Sequence, residues 1–473
     1  MKTNISLRRC ALLPVLLLVL TGCGDLYTDA TGQIFPENNE TPSALEPLPI
    51  PIPTPSPSPT PFPEYDISLM MVGDNLMHMG IINSGQQENG SYDYSMLYED
   101  IAPQLQAADI KIINQETILG GNDLGFSGYP NFNSPTEVGD AIAGAGFNVV
   151  LHASNHAADQ RFQGLDHCAA FWHRQHPEVM MLGISGGEDL DENGGILPLS
   201  GSACAGADRT ADWRTDERGI GYMTVKDVTF AVLNYTYGPN METIPSSIMG
   251  HLNILCDYDR QSGRLDFTTL NPQVTEDIAA AREQADVVIV CPHWGTEYAT
   301  SPSSYQEKFA LQMTEAGADL IIGTHPHVVQ PVEWIEAGNG NRSLCFYSLG
   351  NYVSTQKKGI CMLEAMAWVT FHVDEQGLSL VEEQSGPIPL VCQYSSGPVR
   401  FENVCLLQDY TQEQAARHGI RSYGGVTLSL DDLLQWSSSI FGDNVPGNGS
   451  FALGALHWPD CLGDNLSQPA VSQ

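Results

Sequence analysis

The sequence predicts an α/β fold built from layers of sheets and helices. Short apolar, β-prone runs alternate with segments whose apolar residues recur at helical spacing between residues 67 and 322. Polar side chains able to bind a metal come directly after several of these runs. Because open α/β sheets carry their sites at the ends of buried strands, we expect these side chains to meet at one sheet edge. Hydrophobic residues make up 42% of the chain, which is enough to bury a sizeable core.

The predicted elements follow one another in regular order. Strands are predicted at residues 67–72, 109–113, 147–151, 179–182, 220–225, 228–235, 287–290 and 320–322. Helices are predicted at residues 94–107, 136–145, 164–174, 274–284 and 304–316. A tight turn at Lys226 and Asp227 joins two of the strands, and residues 185–218, rich in Gly, Asp and Ser, predict a surface excursion. From about residue 340 the pattern changes to strands and loops, and the last part of the chain lacks clear periodicity.

The N-terminus has the pattern of an export signal. Basic residues at positions 2, 8 and 9 precede an apolar stretch at residues 11–20, which is too short to span a bilayer. Leu-Thr-Gly-Cys at residues 20–23 resembles the bacterial lipobox, which implies cleavage before Cys23 and lipidation of that residue. The alternative is an ordinary secretory signal followed by a chance cysteine. We therefore predict a signal peptide at residues 1–22 and a lipid anchor on the extracytoplasmic face of the cell membrane.

Composition divides the rest of the chain and excludes some partners. Residues 23–63 form a predicted tether, in which residues 36–63 are dominated by Pro; this favours an extended polyproline conformation that would reach on the order of 80 Å. Residues 64–400 form the predicted α/β domain, and residues 401–473 a C-terminal extension of unknown role. The formal net charge of −36 excludes nucleic acid as an expected partner. A long anionic polymer would need metal ions or a local basic patch to bind such a chain.

Carboxylate and amide candidates follow the first three predicted strands. Asp74 lies after the first strand, Glu116 after the second and Asn155 after the third. Oxygen ligands of this kind suit hard cations, and one carboxylate shared between two cations offsets their mutual repulsion. The alternatives are a simple Asp-Gly turn and a solvent-facing Glu. His78 is a further candidate, either as a ligand or as an ordinary loop histidine.

Histidine candidates follow the later strands. His293 comes after the strand at residues 287–290, and Glu297 in the same loop is a candidate for orienting a histidine. Pro326 favours extended backbone at His325, so the imidazoles of His325 and His327 are expected to face the same side. Adjacent side chains on extended backbone point opposite ways, so Asn155 and His156 are not expected to serve one metal, and we predict one as a ligand and the other as a substrate-facing acid. A structural role for these loops is the alternative.

Taken together, these motifs resemble the CapA family of poly-γ-glutamate capsule-biosynthesis proteins. The resemblance is carried by residues 72–76, 114–117, 154–159, 293–298, 323–328 and 347–352, which occur in the family's order. It implies the calcineurin-like metallophosphoesterase fold, a four-layer α/β/β/α sandwich with metals between the loops at the sheet ends. That superfamily uses Asp-x-His, a bridging carboxylate, Asn-His, a lone His and Gly-His-x-His.

The resemblance also implies roles for individual residues. The implied metal ligands are Asp74, Glu116, Asn155, His293, His325 and His327. His156 is implied to protonate a leaving group or to contact an oxyanion. Supporting or undecided contacts are assigned to His78, Asn114, Asp159, Glu297 and Asn351. Two departures matter: Leu76 replaces the histidine of Asp-x-His, and Glu116 replaces the usual Asp, so one metal position lacks a ligand unless His78 supplies it.

The sequence therefore predicts a lipid-anchored, extracytoplasmic protein with a metal-dependent hydrolase site. It would act in the synthesis, export or trimming of poly-γ-glutamate or a similar anionic surface polymer, cleaving a phosphoester or an amide bond. The expected cofactor is one or two divalent cations, with Mn, Fe and Zn all compatible with N and O ligands. The alternatives are a non-catalytic subunit that binds the polymer or its synthase subunits, and a general exported phosphoesterase.

Overall fold

Two β-sheets packed face to face carry helices on their outer surfaces. The computed structural model describes residues 3–5, 63–192, 196–204 and 210–442. This arrangement confirms the predicted α/β/β/α sandwich. Cys23, most of the signal segment and the tether up to residue 62 lie outside the described residues.

The strands are β1 Thr3–Ile5, β2 Tyr65–Asn75, β3 Ile110–Asn114, β4 Val149–Leu151, β5 Met180–Leu182, β6 Ser200–Cys204, β7 Thr210–Thr215, β8 Gly221–Val225, β9 Val228–Thr236, β10 Cys256–Tyr258, β11 Leu265–Leu270, β12 Val287–His293, β13 Leu320–Ile322, β14 Val332–Glu336, β15 Arg342–Phe346, β16 Asn351–Val353, β17 Leu363–Asp374, β18 Gly377–Leu380, β19 Gly386–Ser395 and β20 Arg400–Leu406. The helices are α1 Met79–Ser84, α2 Ala102–Ala107, α3 Glu137–Gly144, α4 Arg161–Gln175, α5 Pro272–Arg282, α6 Ser304–Ala316, α7 Gln412–Arg417 and α8 Leu430–Phe441.

Each sheet has a parallel centre with antiparallel additions. The first runs in the order β1-β18-β17-β2-β3-β4-β5, with β16 paired to β2, β19 to β17 and β20 to β19. Its strands β2 to β5 are parallel, whereas β17 is antiparallel to β2. The second runs in the order β14-β15-β13-β12-β9-β8-β7-β6, with β9, β12, β13 and β15 parallel. Parallel neighbours place their carboxyl ends at the same edge, and this edge carries the polar residues.

Alternation along the strands sorts side chains between two apolar layers. In β2, Leu69 and Met71 join the core between the sheets, whereas Met70 and Val72 join the core beneath the helices. The rings of Phe230 and Phe371, one from each sheet, lie 5.4 Å apart. Because both faces of these strands are covered, both sets of alternating side chains are apolar, and the strands appear in the sequence as continuous apolar runs.

Three regions differ from the sequence prediction. The helix expected at residues 94–107 is instead two short 3₁₀ turns followed by α2, which begins next to Pro103 because proline is tolerated only in the first turn. The surface excursion expected at residues 185–218 contributes β6 and β7 to the edge of the second sheet, with Trp213 buried. The part of the chain after residue 400 supplies β20, α7 and α8.

The described part of the predicted C-terminal extension packs on the same core as the rest. β20 hydrogen-bonds to β19, and Leu433 and Phe441 of α8 are buried in the apolar layer between the sheets. The domain boundary at residue 400 stays a prediction. Among the described residues, no helix combines the length and apolar character needed to cross a membrane.

Candidate metal centre

Strands from both sheets end at one polar cluster. Asp74 lies near the end of β2 opposite Asn114, the last residue of the parallel strand β3. His293 is the last residue of β12 in the second sheet, and its Nδ1 lies 3.6 Å from Asp74 Oδ1. Asp74 and His293 are both fully buried. The strand-end rule therefore brings together residues from both sheets, as the sequence predicted.

Three of these side chains form a group that could hold a metal ion. The ligand atoms of Asp74, Glu116 and His327 all lie within 4.8 Å of one another, and all three residues are buried. His327 Nδ1 lies 3.5 Å from Asp74 Oδ2 and 3.8 Å from Glu116 Oε2. Neither carboxylate oxygen of Glu116 has a hydrogen-bond partner among the described residues. A buried carboxylate without a partner is costly, so these residues fit a bound cation.

The protonation of the group reflects its negative charge. Burial, together with the charge of Asp74, raises the pKa of Glu116 well above its usual range. Burial opposes protonation of His327, but the charges of Glu116 and Asp74 outweigh it and raise its pKa to about 9. In both residues the neighbouring carboxylates raise the pKa, which indicates that the site favours a positive partner, whereas burial adds to the rise for Glu116 and opposes it for His327.

Neighbouring asparagines hold this group in place. Asn114 Nδ2 donates to Asp74 Oδ1 at 2.7 Å, and the backbone N–H of His325 donates to Asp74 Oδ2 at 3.1 Å. Asn351 Oδ1 lies 3.0 Å from His327 Nδ1, and Asn351 Nδ2 donates to the His327 carbonyl at 3.2 Å. Asn114 therefore contacts Asp74, and Asn351 contacts His327, in the way that neighbouring side chains orient metal ligands.

A second set of candidate ligands lies beside the first. His293 Nε2 is 2.8 Å from Asn155 Oδ1, and its Nδ1 is 3.0 Å from Thr324 Oγ1. The ring of His325 lies 4.9 Å from that of His293, and the buried Nδ1 of His325 has no partner among the described residues. Burial, then the neighbouring histidines, holds the pKa of His293 and of His325 well below the usual range, so both rings are neutral and able to ligate.

The backbone beside Pro326 is not extended. His325 has φ of 100° and His327 has φ of 58°, so both occupy the left-handed region that side chains rarely adopt. The prediction of extended backbone is therefore wrong, although both imidazoles do reach the cluster. A positive φ at a residue other than glycine is characteristic of functional loops, where the surrounding fold holds the strained backbone in place.

His156 is oriented for a different task. Its Nδ1 lies 2.7 Å from Asp159 Oδ2, and its ring packs edge-on against Phe132 with ring centres 4.7 Å apart. Asn240 Nδ2 lies 3.4 Å from the His156 ring nitrogens, and Asn155 Nδ2 donates to Asn240 Oδ1 at 3.2 Å. Because Asp159 engages Nδ1, the acid role predicted for His156 would fall to Nε2, and that role stays a prediction.

Asn240 and Thr324 were missed by the sequence analysis. Asn240 follows β9 in a Gly-Pro-Asn loop, so the strand-end rule that selected the other candidates also applies to it. Thr324 stands directly before His325 in the motif at residues 323–328, but the motif does not indicate that the Thr324 hydroxyl contacts His293. Both are polar side chains that contact candidate site residues: Asn240 contacts Asn155 and His156, and Thr324 contacts His293.

His78, Leu76 and Glu297 lie around the three-residue group. His78 Nδ1 accepts a hydrogen bond from the backbone N–H of Thr355 at 3.3 Å, and burial lowers its pKa to about 3. His78 is not among the three grouped ligands, and Leu76 is buried at the position where the family pattern has His. Glu297 is exposed, and its charge adds to those that raise the pKa of His327. The ligand and supporting roles of all these residues stay predictions.

The chain is similar to known capsule proteins. Residues 68–356 match the family described as "Bacterial capsule synthesis protein PGA_cap". The PGA biosynthesis protein CapA of Bacillus subtilis (strain 168) is 28% identical over 237 residues, which are 50% of this chain and 50% of that protein. The capsule biosynthesis protein CapA of Bacillus anthracis is 26% identical over 326 residues, 67% of this chain and 66% of that protein. The matches thus span half of one relative's length and just under two thirds of the other's.

A solved structure gives a weaker comparison. The crystal structure of a hypothetical protein from Thermus thermophilus aligns with 67% of this chain and 98% of its own, at 13% identity and a TM-score of 0.33. That similarity is too low to carry an argument. The family match covers the strands that end at the polar cluster and every residue grouped there. On this basis, the chain belongs to the bacterial capsule synthesis protein family PGA_cap.

Proposed function

We propose that this protein acts in the synthesis, export or trimming of poly-γ-glutamate or a similar anionic capsule polymer by metal-dependent hydrolysis. The observation that carries the proposal is the convergence of Asp74, Glu116 and His327, with both Glu116 oxygens lacking a partner. The names of the two Bacillus relatives supply the polymer class and the pathway. Buried, unsatisfied carboxylate oxygens at strand ends are best explained by a cation that the chain is built to hold.

Each residue has a defined part in this proposal. Asp74, Glu116 and His327 would hold one divalent cation, and Asn155, His293 and His325 would hold a second or complete the first. A bound cation polarises the scissile group and lowers the pKa of a bound water. His156, held by Asp159 at Nδ1, would donate a proton to the leaving group from Nε2. Asn240 contacts both Asn155 and His156 and would fix the position of one side chain relative to the other.

The site of action follows from the N-terminal sequence and the family. We propose that Cys23 is lipidated and that residues 23–63 hold the domain away from the outer face of the cell membrane. The surface location suggested by capsule-biosynthesis relatives supports this placement. Globomycin treatment of producing cells should block maturation, and mass spectrometry of the mature N-terminus should find a diacylglyceryl group on Cys23. An unmodified Cys23 in the mature protein would rule the anchor out.

Metal content tests the hydrolase proposal directly. The full chain would be loaded in turn with Mn, Fe and Zn, and its metal measured by elemental mass spectrometry beside the His325→Ala/His327→Ala variant. We expect near-stoichiometric metal in the unsubstituted protein, loss of metal in the variant, and shortening of γ-linked polyglutamate only by the loaded protein. An absence of metal under all three conditions would contradict the proposal.

A non-catalytic subunit of a polymer synthase is the second candidate. Leu76 favours it, because the buried leucine removes one histidine that the metallophosphoesterase pattern supplies. Under this reading the chain would retain bound polymer without shortening it, and any metal would be structural. Metal binding without cleavage of polyglutamate or of chromogenic phosphate esters would favour this candidate, and cleavage of the esters alone would favour a general phosphoesterase.

A further inference from the structure

Lys358 lies close to the three-residue metal group, and Lys357 directly precedes it in the chain. Lys358 Nζ is 3.2 Å from the centre of the Tyr298 ring, and that ring centre is 6.0 Å from the ring of His327. Lys357 Nζ is 5.0 Å from the ring centre of Tyr423. Both lysines are exposed, and each ammonium group is stabilised by an aromatic face. A positive charge is therefore presented at the His327 side of the centre.

Gln356 ties this lysine segment to the centre. Asn351, which contacts His327, donates from Nδ2 to Gln356 Oε1 at 3.2 Å. Gln356 Nε2 donates to the Tyr298 hydroxyl at 3.5 Å, and its carbonyl accepts from the Tyr394 hydroxyl at 3.0 Å. These contacts fix the backbone before Lys357 relative to His327. The lysines are thus held beside the site and do not lie on a remote surface.

The two lysines carry positive charge in a strongly acidic chain. The protein has 56 acidic residues against 20 basic ones, and several of its arginines form ion pairs with carboxylates, among them Arg282 with Asp319 and Arg417 with Glu402. Within the described ranges, no ion pair joins Lys357 or Lys358 to a carboxylate. A cation that the protein's own acids do not neutralise is available to an anion on a ligand.

A third cation lies near His156. Arg161 is exposed, and its Nη1 contacts Met241 Sδ at 3.4 Å. Met241 follows Asn240, whose amide lies 3.4 Å from the His156 ring nitrogens. In the described part of the chain, Arg161 also has no ion pair with a carboxylate. Positive charges therefore lie near both His327 and His156, while the chain as a whole is strongly acidic.

We propose that Lys357 and Lys358, near His327, and Arg161, near His156, bind carboxylates of a polyanionic substrate on either side of the reacting bond. This inference rests on the proposed function and assigns it residues that select the substrate. A polymer with one carboxylate per repeating unit presents anions to both sides at once, which a small ester does not. The lysines are the local basic patch that an acidic chain needs to bind an anionic polymer.

Binding, measured without turnover, tests the inference. A fluorescent γ-linked glutamate oligomer would be titrated against the full chain, unsubstituted and as His327→Ala, at about 50 and about 200 mM salt. We expect Lys357→Glu/Lys358→Glu to weaken binding about tenfold and to reduce its salt dependence, and Arg161→Glu to weaken it by about threefold. Lys308→Glu/Arg264→Glu, which changes the charge equally at exposed positions, is the matched control and should stay within about twofold.

The remaining outcomes separate this inference from the proposed function. Equal weakening by the lysine pair and by the control pair would mean that net charge alone matters and would overturn the inference. Tighter, lysine-dependent binding of an inorganic polyphosphate of similar length would overturn the carboxylate class. A protein that holds metal and cleaves the polymer, but is indifferent to the lysine and Arg161 substitutions, would overturn the inference and leave the proposed function standing. A protein without metal or polymer binding would overturn both.

Discussion

The two halves of the candidate centre differ in how their ligand atoms are engaged. In the half formed by Asp74, Glu116 and His327, the atoms converge within 4.8 Å, and the Glu116 oxygens contact no hydrogen-bond donor among the described residues. In the other half, His293 Nε2 and Asn155 Oδ1 lie 2.8 Å apart and satisfy each other. A cation entering the first half meets the two unpartnered oxygens of Glu116, whereas one entering the second must replace the hydrogen bond between His293 and Asn155. We therefore expect the first half to bind metal more tightly, despite the missing histidine at Leu76.

The largest expected effect comes from breaking the first half. His327→Ala removes the imidazole between Asp74 and Glu116, so we expect bound metal to be lost and polymer turnover to fall about 1,000-fold or more. Elemental analysis and polymer sizing measure the two effects. His176→Ala, at the end of α4 and paired with Asp140 and Glu178, is the control and should behave as the unsubstituted protein. Full metal content in His327→Ala would exclude this group as the metal site.

Breaking the second half should separate metal binding from turnover. His293→Ala removes one ligand and frees Asn155, but leaves the Asp74 group intact. We expect metal affinity of the first half to change by less than about threefold, while turnover falls about 100-fold. A metal titration followed by rate measurement at saturating metal distinguishes the two. Complete metal loss in this variant would show that the halves act as one binding unit.

Orientation of His327 can be tested without removing a ligand. Asn351→Ala deletes the amide that contacts both His327 Nδ1 and the His327 carbonyl. Contacts of this kind are worth about 10–100-fold in metal affinity, and we expect the lower end because the backbone still holds the loop. Asn351→Asp keeps an oxygen acceptor at this position and should recover part of the affinity. Equal affinity in all three proteins would show that Asn351 has no orienting role.

The smallest expected effect concerns His78. Its Nδ1 is engaged by the Thr355 N–H, and it lies outside the three-residue group, so His78→Ala should leave metal affinity within about twofold. Thermal unfolding of the same variant controls for loss of packing against Phe132. A loss of metal as large as in His327→Ala would instead identify His78 as the substitute for the histidine that Leu76 replaces.

Much of the fold was accessible from local patterns. The helix at Ser304–Ala316 and the strand at Leu320–Ile322 occur at the predicted residues. The helix bounds follow from local signals, because Ser303 caps its start and Gly317 ends it in the left-handed conformation. The Lys226-Asp227 turn also occurs as predicted, with positive φ at both residues, as a two-residue hairpin requires. The prediction from local patterns was wrong at residues 94–107, where Pro103 interrupts the helical periodicity. It was also wrong at β6 and β7, because their polar composition resembles that of a loop.

The sequence by itself determined the family, the alternation of strands and helices, and the strand ends that carry Asp74, Glu116, Asn155 and His293. These properties are local, since periodicity and short motifs require only neighbouring residues. Only the tertiary structure decided which atoms meet: that Glu116 lacks a partner, that Asn240 contacts His156, and that Lys358 lies over Tyr298 beside His327. Such contacts join residues far apart in the chain, and they depend on how two sheets pack and on left-handed backbone at His325 and His327, which no local pattern encodes.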